Sequence, residues 1–380
     1  MPTTDNPPAK SPIVKWLKIL LGIAVSLGCL YYALYDVIHD PEQREQFQEA
    51  VKHANYVALI PILSIVFVFY WLKAIRWKWL LSPLGQYRPL RDLFPPIMIG
   101  FAWNNVLPMH LGEFIRMEVF SRKSGLPRAA VLSSIVTERL FDIIAIVFCF
   151  GTGVLLEYAH PDTSPPQAVV QTVAGAPAKS SEIDARAAAG KKSVLLGIVA
   201  AAVMVGSLVF VFRTNDILRI IHWGLKLLRI PTALESKISD LLTTAANGLS
   251  SLRSFRTVSA ILAISLVKWG LNGLVIYMAL LAYGVHLSLA KAFILLGVVA
   301  GGVTLPAAPG YFGIMQVCFR SVLGNTPAVI AASFFYQLSQ YFPVTGTGLF
   351  FFFRTGMSLS ESTSSPTSPP AVSAISESAQ

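Results

Sequence analysis

Six stretches of this chain, 13–35, 55–75, 129–156, 193–212, 257–284 and 327–353, are mainly apolar over about 20 residues or more. That length crosses a hydrocarbon layer as a helix, and nothing else in the sequence restricts the fold as strongly. Composition agrees: 54% of residues are hydrophobic and 13% charged, where a soluble globular chain carries roughly 25% charged residues. The net charge of +10 does not point to nucleic acid. The basic residues sit in short connections between apolar runs, where cytoplasmic loops retain Lys and Arg. The first run lacks a small-residue cleavage site and reads as a span rather than a removable leader. Cys29, Cys149 and Cys318 are far apart within apolar runs and read as small core hydrophobes, not metal ligands.

Two further apolar stretches are interrupted. Residues 93–109 contain Pro95, Pro96 and Pro108, and 288–323 is broken at "TLPAAPGYFG", 304–313. Acidic residues dominate 36–53, which reads as outside, while Lys73, Arg76, Lys78, Arg88 and Arg91 place 73–91 inside. Arg116, Arg122, Lys123 and Arg128 place 113–128 inside as well. With both flanks on one side, 93–109 dips into the membrane and returns. By the same reckoning 288–323 dips in from the opposite face. Such irregular backbone is tolerated at membrane depth only against protein or a wet cavity.

The expected fold is therefore an all-α integral membrane protein. It is a polytopic bundle of about six full spans and two re-entrant helical hairpins, with a topology that admits an inverted repeat. The expected organisation is a cytoplasmic segment 1–12 and a transmembrane domain 13–354. That domain includes an extracytoplasmic flexible loop 159–190 and an amphipathic cytoplasmic segment 213–256. A Ser/Pro-rich tail, 355–380, reads as disordered.

Four constellations carry chemistry. "TERLFDII", 137–144, sets Glu138, Arg139 and Asp142 inside a span at i,i+3 and i,i+4 spacing. Each charge at the bilayer centre costs about 2.5–3.5 kcal/mol on insertion scales, so these groups face a cavity or each other. A structural ion pair pinning the helix is the plainer reading. "WNNVLPMHLGEFIRMEVF", 103–120, supplies Asn104 and Asn105 where Pro108 interrupts the helix, and Gly112 permits a close approach. Glu113 and Arg116 follow at i,i+3, able to pair with each other or with the 138–142 group, and a guanidinium there suits a phosphate. Lys268, with Asn272 at i+4, is either the counter-ion of Glu138 or Asp142 or a contact for an anionic substrate. Pro306, Pro309 and Gly310 unpair backbone groups in the second break, forming either an anion-facing helix start or a hinge. We expect the two breaks to meet, with Arg139 and Lys268 lining the space between them.

No Walker loop, HExxH, paired-Cys site or GxSxG elbow is present, so no cofactor, metal or enzymatic activity is expected. Four motifs in order, "RWKWLL" (76–81), "NNVLPMHLGEFIRMEVF" (104–120), "VTERLFD" (136–142) and "LPAAPGYFG" (305–313), resemble the lysylphosphatidylglycerol synthase transmembrane-region family. The chain is similar to the membrane half of the multiple peptide resistance factor over about residues 15–354. The family pattern has an acidic residue where this chain has Gln316.

The resemblance implies a flippase-like module in a bacterial-type plasma membrane, with both termini cytoplasmic. Such a module moves a phospholipid or lipid-linked anionic headgroup between leaflets. The synthase half is not in this sequence, so aminoacyl transfer is not implied. The alternatives are a membrane-embedded lipid headgroup transferase, or a non-catalytic partner of a separate synthase or glycosyltransferase. Membrane lipids are the expected partners.

Overall fold

The computed structural model describes residues 12–107, 111–159, 255–304 and 309–356. Expectations for 1–11, 160–190, 193–212 and 213–254, for the tail beyond 356, and for Pro108, His110 and Pro306 fall outside the described residues. Those residues form ten α-helices and three short helical turns, without a strand.

Helix α1 (Pro12–His39) passes into a polar helix α2 (Pro41–Lys52), started by Asp40, which accepts the Glu42 N–H at 2.9 Å. A short turn capped by Asn55 leads into α3 (Leu59–Leu81). Helix α4 (Phe94–Val106) carries Pro95 and Pro96 in its first turn, where no backbone donor is lost. It stops at Leu107, whose extended backbone is the conformation required before Pro108. Helix α5 (Gly112–Ser124) ends on Gly125 in the left-handed region, and α6 runs Arg128–Ala159.

The later set is α7 (Phe255–Ala282), α8 (Leu289–Gly302), a turn at Pro309–Tyr311, α9 (Ile314–Leu323) and α10 (Pro327–Arg354). Gly310 has φ 76°, which favours glycine, and the turn it makes is what separates α8 from α9.

Four helical stretches are long and apolar enough to cross a membrane: Gly22–His39, Tyr56–Leu81, Arg128–Ala159 and Arg256–Ala282. Helix α10 has the length but interrupts its apolar run with Gln337, Ser339, Gln340 and an internal Pro343. Helices α4, α5, α8 and α9 have 13, 13, 14 and 10 residues. At about 1.5 Å per residue each reaches 15–21 Å, well short of a hydrocarbon core about 30 Å thick.

Helix α4 packs on α5, α10 and the Pro309–Tyr311 turn, while residues 108–110 and 305–308, at the breaks themselves, lie outside the described residues. Helix α7 lies against α3, α6 and α8. A small apolar cluster of Ile99, Trp103, Ile115, Val119 and Phe352 joins α4, α5 and α10. Gly112 is required where α5 crosses α4. A Cβ there would lie 1.9 Å from the Gly100 carbonyl oxygen and 2.6 Å from Asn104 Oδ1.

Two sequence readings need correction. The span ending at residue 75 continues to Leu81, and Lys73 and Arg76 are buried in it rather than sitting in a cytoplasmic connection. Tyr70, Lys73, Ala74, Arg76, Trp77 and Leu80 form its inward stripe, while Lys78 points away and is exposed. The segment from 113 was likewise read as a connection. Residues 112–124 are instead a helix that buries Ile115, Arg116, Glu118, Val119 and Phe120.

Candidate functional site

Helices α3, α5, α6 and α7 bring five cationic side chains, Lys73, Arg76, Arg116, Arg139 and Lys268, against three carboxylates, Glu113, Glu138 and Asp142. Glu138 and Asp142 lie 10 and 14 residues into α6, hence about 15 and 21 Å along it, near the middle of a bilayer. All but Arg139 and Glu113 are essentially inaccessible. Charges stripped of water at this depth need each other's hydrogen bonds, since an unpaired one is expensive.

Asp142 is the most heavily engaged. Arg76 forks onto both its oxygens at 2.6 and 3.1 Å, Lys268 Nζ donates at 2.5 Å, and Trp269 Nε1 donates at 2.8 Å. Glu138 accepts from Arg76 at 3.1 Å and Arg116 at 2.8 Å, and pairs with Lys73. Arg76 also donates to Ser265 Oγ at 2.7 Å, tying α3 to α7. Glu113 pairs with Arg139, whose side chain is 41% exposed, and lies 3.7 Å from Arg116 Nη1.

These contacts give each group whose pairing the spacing leaves open a partner within the protein. Lys268 is a counter-ion of Asp142. Arg139 pairs across to Glu113 rather than along its own helix to Asp142. Arg116 serves Glu138 directly and Glu113 at longer range. Two formal positive charges remain in excess.

Aromatic rings cover the cations. Arg116 stacks on Trp77 at 3.8 Å, Lys73 lies 4.7 Å from the centre of the Phe101 ring, and Arg139 lies 5.7 Å from it. Lys268 lies 4.8 Å from both Phe69 and Trp269.

Phe69, Phe101 and Trp269 also line a cavity of about 210 Å³. Its polar wall comes from Asn105, Asn272, Gln337 and Gln340, with Gly310 and Tyr311 from the second break. Arg139 and Lys268, expected to line the space between the breaks, are not among the residues lining this cavity, whose rings Phe69, Phe101 and Trp269 are the ones that the cations contact. A lysine in the middle of a bundle gains more from a buried carboxylate than from an open space.

The other candidate residues divide between these two zones. Asn105 donates to Thr345 Oγ1 at 2.9 Å, and Asn272 accepts from the Tyr336 hydroxyl at 2.9 Å. Asn104 is buried, with no partner for Oδ1. Pro309 opens the turn. Gln316 is fully buried: its side-chain oxygen accepts the Gly313 N–H at 2.8 Å, and its amide donates to Gln337 at 2.7 Å. Gln337 in turn donates to the Gly310 carbonyl at 2.6 Å. The glutamine thus serves a chain of amides that closes the second break, a chain in which a carboxylate could not donate.

Midway along α5, Glu118 accepts from Arg122 at 2.6 Å and from Arg128, at the start of α6, at 2.5 and 2.7 Å. The Arg128 hydrogen bond foremost holds that carboxyl below its ordinary range.

The family model described as the lysylphosphatidylglycerol synthase TM region matches residues 19–348. The glycosyltransferase AglD of Haloferax volcanii is 24% identical over 286 residues, which cover 73% of this chain and 45% of that protein. The UPF0104 membrane protein MJ1595 of Methanocaldococcus jannaschii is 28% identical over 106 residues, 27% of this chain and 30% of that protein. The chain thus spans less than half the length of either of these curated relatives. No solved structure matches it. This chain belongs to the lysylphosphatidylglycerol synthase transmembrane-region family and is a helical integral membrane protein.

Proposed function

We propose that this protein moves a phospholipid, or a lipid-linked anionic headgroup, between the two leaflets of the membrane. The observation that carries this reading is the cluster of five cations against three carboxylates at membrane depth. Its excess of two positive charges, beside an amide-lined cavity, is suited to an anion that must shed water to cross. Arg guanidinium groups bind phosphate oxygens bidentately and keep their charge when desolvated.

In this reading α4–α5 and α8–α9 are re-entrant hairpins, each too short to cross and each burying its break against the other. The headgroup takes the path between them while the acyl chains stay in lipid. Phe101 is the barrier in this reading, because its ring lines the cavity and also contacts Lys73 and Arg139. Arg139 and Arg116 meet the headgroup. Lys73, Arg76 and Lys268 hold the carboxylates that position them. The protein sits in a plasma membrane with the Arg122–Arg128 end of α5 on the cytoplasmic side.

The test is transfer of fluorescent phospholipids across vesicles that contain only the purified chain. Exchange of anionic lipid faster than in empty vesicles supports the reading. Turnover of the headgroup instead would make the protein a transferase, a reaction class for which AglD, named a glycosyltransferase, is the relevant relative. Inactivity that a co-reconstituted synthase or glycosyltransferase relieves would make it a membrane partner.

A further inference from the structure

The three carboxylates of the cluster are not held alike. Asp142 and Glu138 each receive several short hydrogen bonds from buried donors. Glu113 pairs with the half-exposed Arg139 through one oxygen and reaches Arg116 with the other only at 3.7 Å. Beside it, fully buried Arg116 makes no hydrogen bond through Nε or Nη1, the nearest carboxylate oxygen to Nη1 being that of Glu113 at 3.7 Å. Buried guanidinium donors without acceptors are uncommon, and these lie near a carboxylate that only partly answers them. Glu113 also sits in the first turn of α5, where a negative charge is favoured by the helix dipole. The arrangement has the form of an anion site filled by the protein's own side chain.

We propose that Glu113 is a displaceable internal counter-ion: an anionic headgroup binds by taking its place on Arg139 and engaging the free N–H groups of Arg116. This rests on the lipid-translocation reading for the source of the anion, whereas the recognition chemistry is that of any phosphate. When Glu113 leaves Arg139, the incoming phosphate occupies the same helix end and meets an aligned guanidinium fork. Asp142 and Glu138 stay in place, because removing either would strip several cations at once. The site is therefore kept electrically filled between ligands, and the headgroup enters by exchange rather than by opening an unpaired charge.

Binding, not transport, is the readout. The purified protein is placed in phosphatidylcholine nanodiscs and titrated with spin-labelled phosphatidylglycerol. Glu113→Gln, which keeps the shape and removes the competing charge, is expected to tighten binding about tenfold, equivalent to about 1.4 kcal/mol. Arg139→Gln is expected to weaken binding, and adding Glu113→Gln to it recovers nothing, because the gain acts through Arg139. Glu49→Gln, on the exposed helix α2, leaves binding unchanged.

Unchanged or weaker binding by folded Glu113→Gln overturns the proposal. If that variant does not fold, the wild-type protein supplies the answer through carbodiimide labelling of Glu113, read by peptide mass spectrometry. Phosphatidylglycerol raises labelling if the ligand releases the carboxylate, and constant or reduced labelling overturns the proposal. Inorganic phosphate tested alone separates the sources: the same gain with free phosphate overturns the lipid assignment, whereas a gain restricted to phosphatidylglycerol supports it. A wild-type protein that binds with this pattern but fails the vesicle assay loses the transport reading and keeps the exchange. One that transports without the Glu113→Gln gain loses the exchange alone.

Discussion

The residues flanking the two breaks line one cavity, with Asn105 on one side and Gly310 and Tyr311 on the other, and they are held by different chemistry. Around the first, α4–α5 is wired to α3, α6 and α7 by guanidinium, ammonium and carboxylate groups. Around the second, the same kind of gap between α8 and α9 is closed by two glutamine amides, a backbone N–H and a backbone carbonyl. Both arrangements give partners to polar groups that cannot turn to water. The neutral one does only that. The charged one also leaves a surplus of cations and a carboxylate, Glu113, that answers Arg139 but reaches Arg116 only at 3.7 Å, which is more than closing a gap requires. Placing charge on one side alone makes the cavity asymmetric: an anion meets attraction at α5 and α6, and neutral hydrogen-bonding groups at the Gly310 turn.

If that division is right, substitutions on the charged side should cost more stability than those on the amide side. Asp142→Ala strands Lys268 and leaves Arg76 with the Glu138 carboxylate alone, and breaking a buried pair of this kind costs about 3–5 kcal/mol. Denaturant unfolding in detergent should register it, and Lys268→Met combined with Asp142→Asn should recover part of the loss. A cost below about 1 kcal/mol, the range of exposed pairs, would mean that water reaches the cluster and that the contrast is false.

Gly112→Ala probes the hinge between the zones. Its Cβ would lie 1.9 Å from the Gly100 carbonyl oxygen, and overpacking of this sort costs about 1–3 kcal/mol. Thermal unfolding should fall by a few degrees, with the α4–α5 contact disturbed first. On the amide side, Gln337→Leu removes the donor to Gly310 and the acceptor for Gln316. Leaving a buried polar group unsatisfied costs about 1–3 kcal/mol, so the loss should stay below that of Asp142→Ala in the same unfolding measurement. Equal losses would place as much weight on the second break as on the first.

Arg139→Gln should have the smallest effect on unfolding. Its side chain is 41% exposed and pairs with one carboxylate, and an accessible pair contributes about 0–1 kcal/mol. Transfer of anionic lipid should nevertheless drop well below wild type while transfer of neutral lipid changes less. Loss of stability as large as for Asp142→Ala would reassign Arg139 to the structural set.

Much of this was legible in the residues. Glu138, Arg139 and Asp142 stand out because charges inside an apolar run must be answered by something. Glu113 and Arg116 stand out because they follow a Pro at helical spacing. Lys73 and Arg76 were hidden by their position. They lie at the end of an apolar run, where basic residues ordinarily mark the cytoplasmic side, and only helical phase separates them from exposed Lys78. The inward stripe at 70, 73, 74, 76, 77 and 80 was the available signal. Helix α5 was hidden because "GEFIRMEVFSRKS" has the polarity of a surface segment, and its burial depends on partners from other helices. Phe69, Phe101 and Trp269 gave no warning, since an aromatic residue in a membrane helix has many uses. Their shared position between cations and cavity exists only in three dimensions.

The Gly100–Gly112 crossing has a further consequence, in time rather than in energy. With backbone against backbone, α4 and the start of α5 have no room to slide or separate locally and move as one body. Departure of Glu113 from Arg139 is then a rotation about side-chain bonds, without the collective helix motions that take microseconds to milliseconds. Ligand exchange at Arg139 would run far ahead of any rearrangement of the hairpins, so the pace of a full crossing would be set by the helices and by the cargo itself.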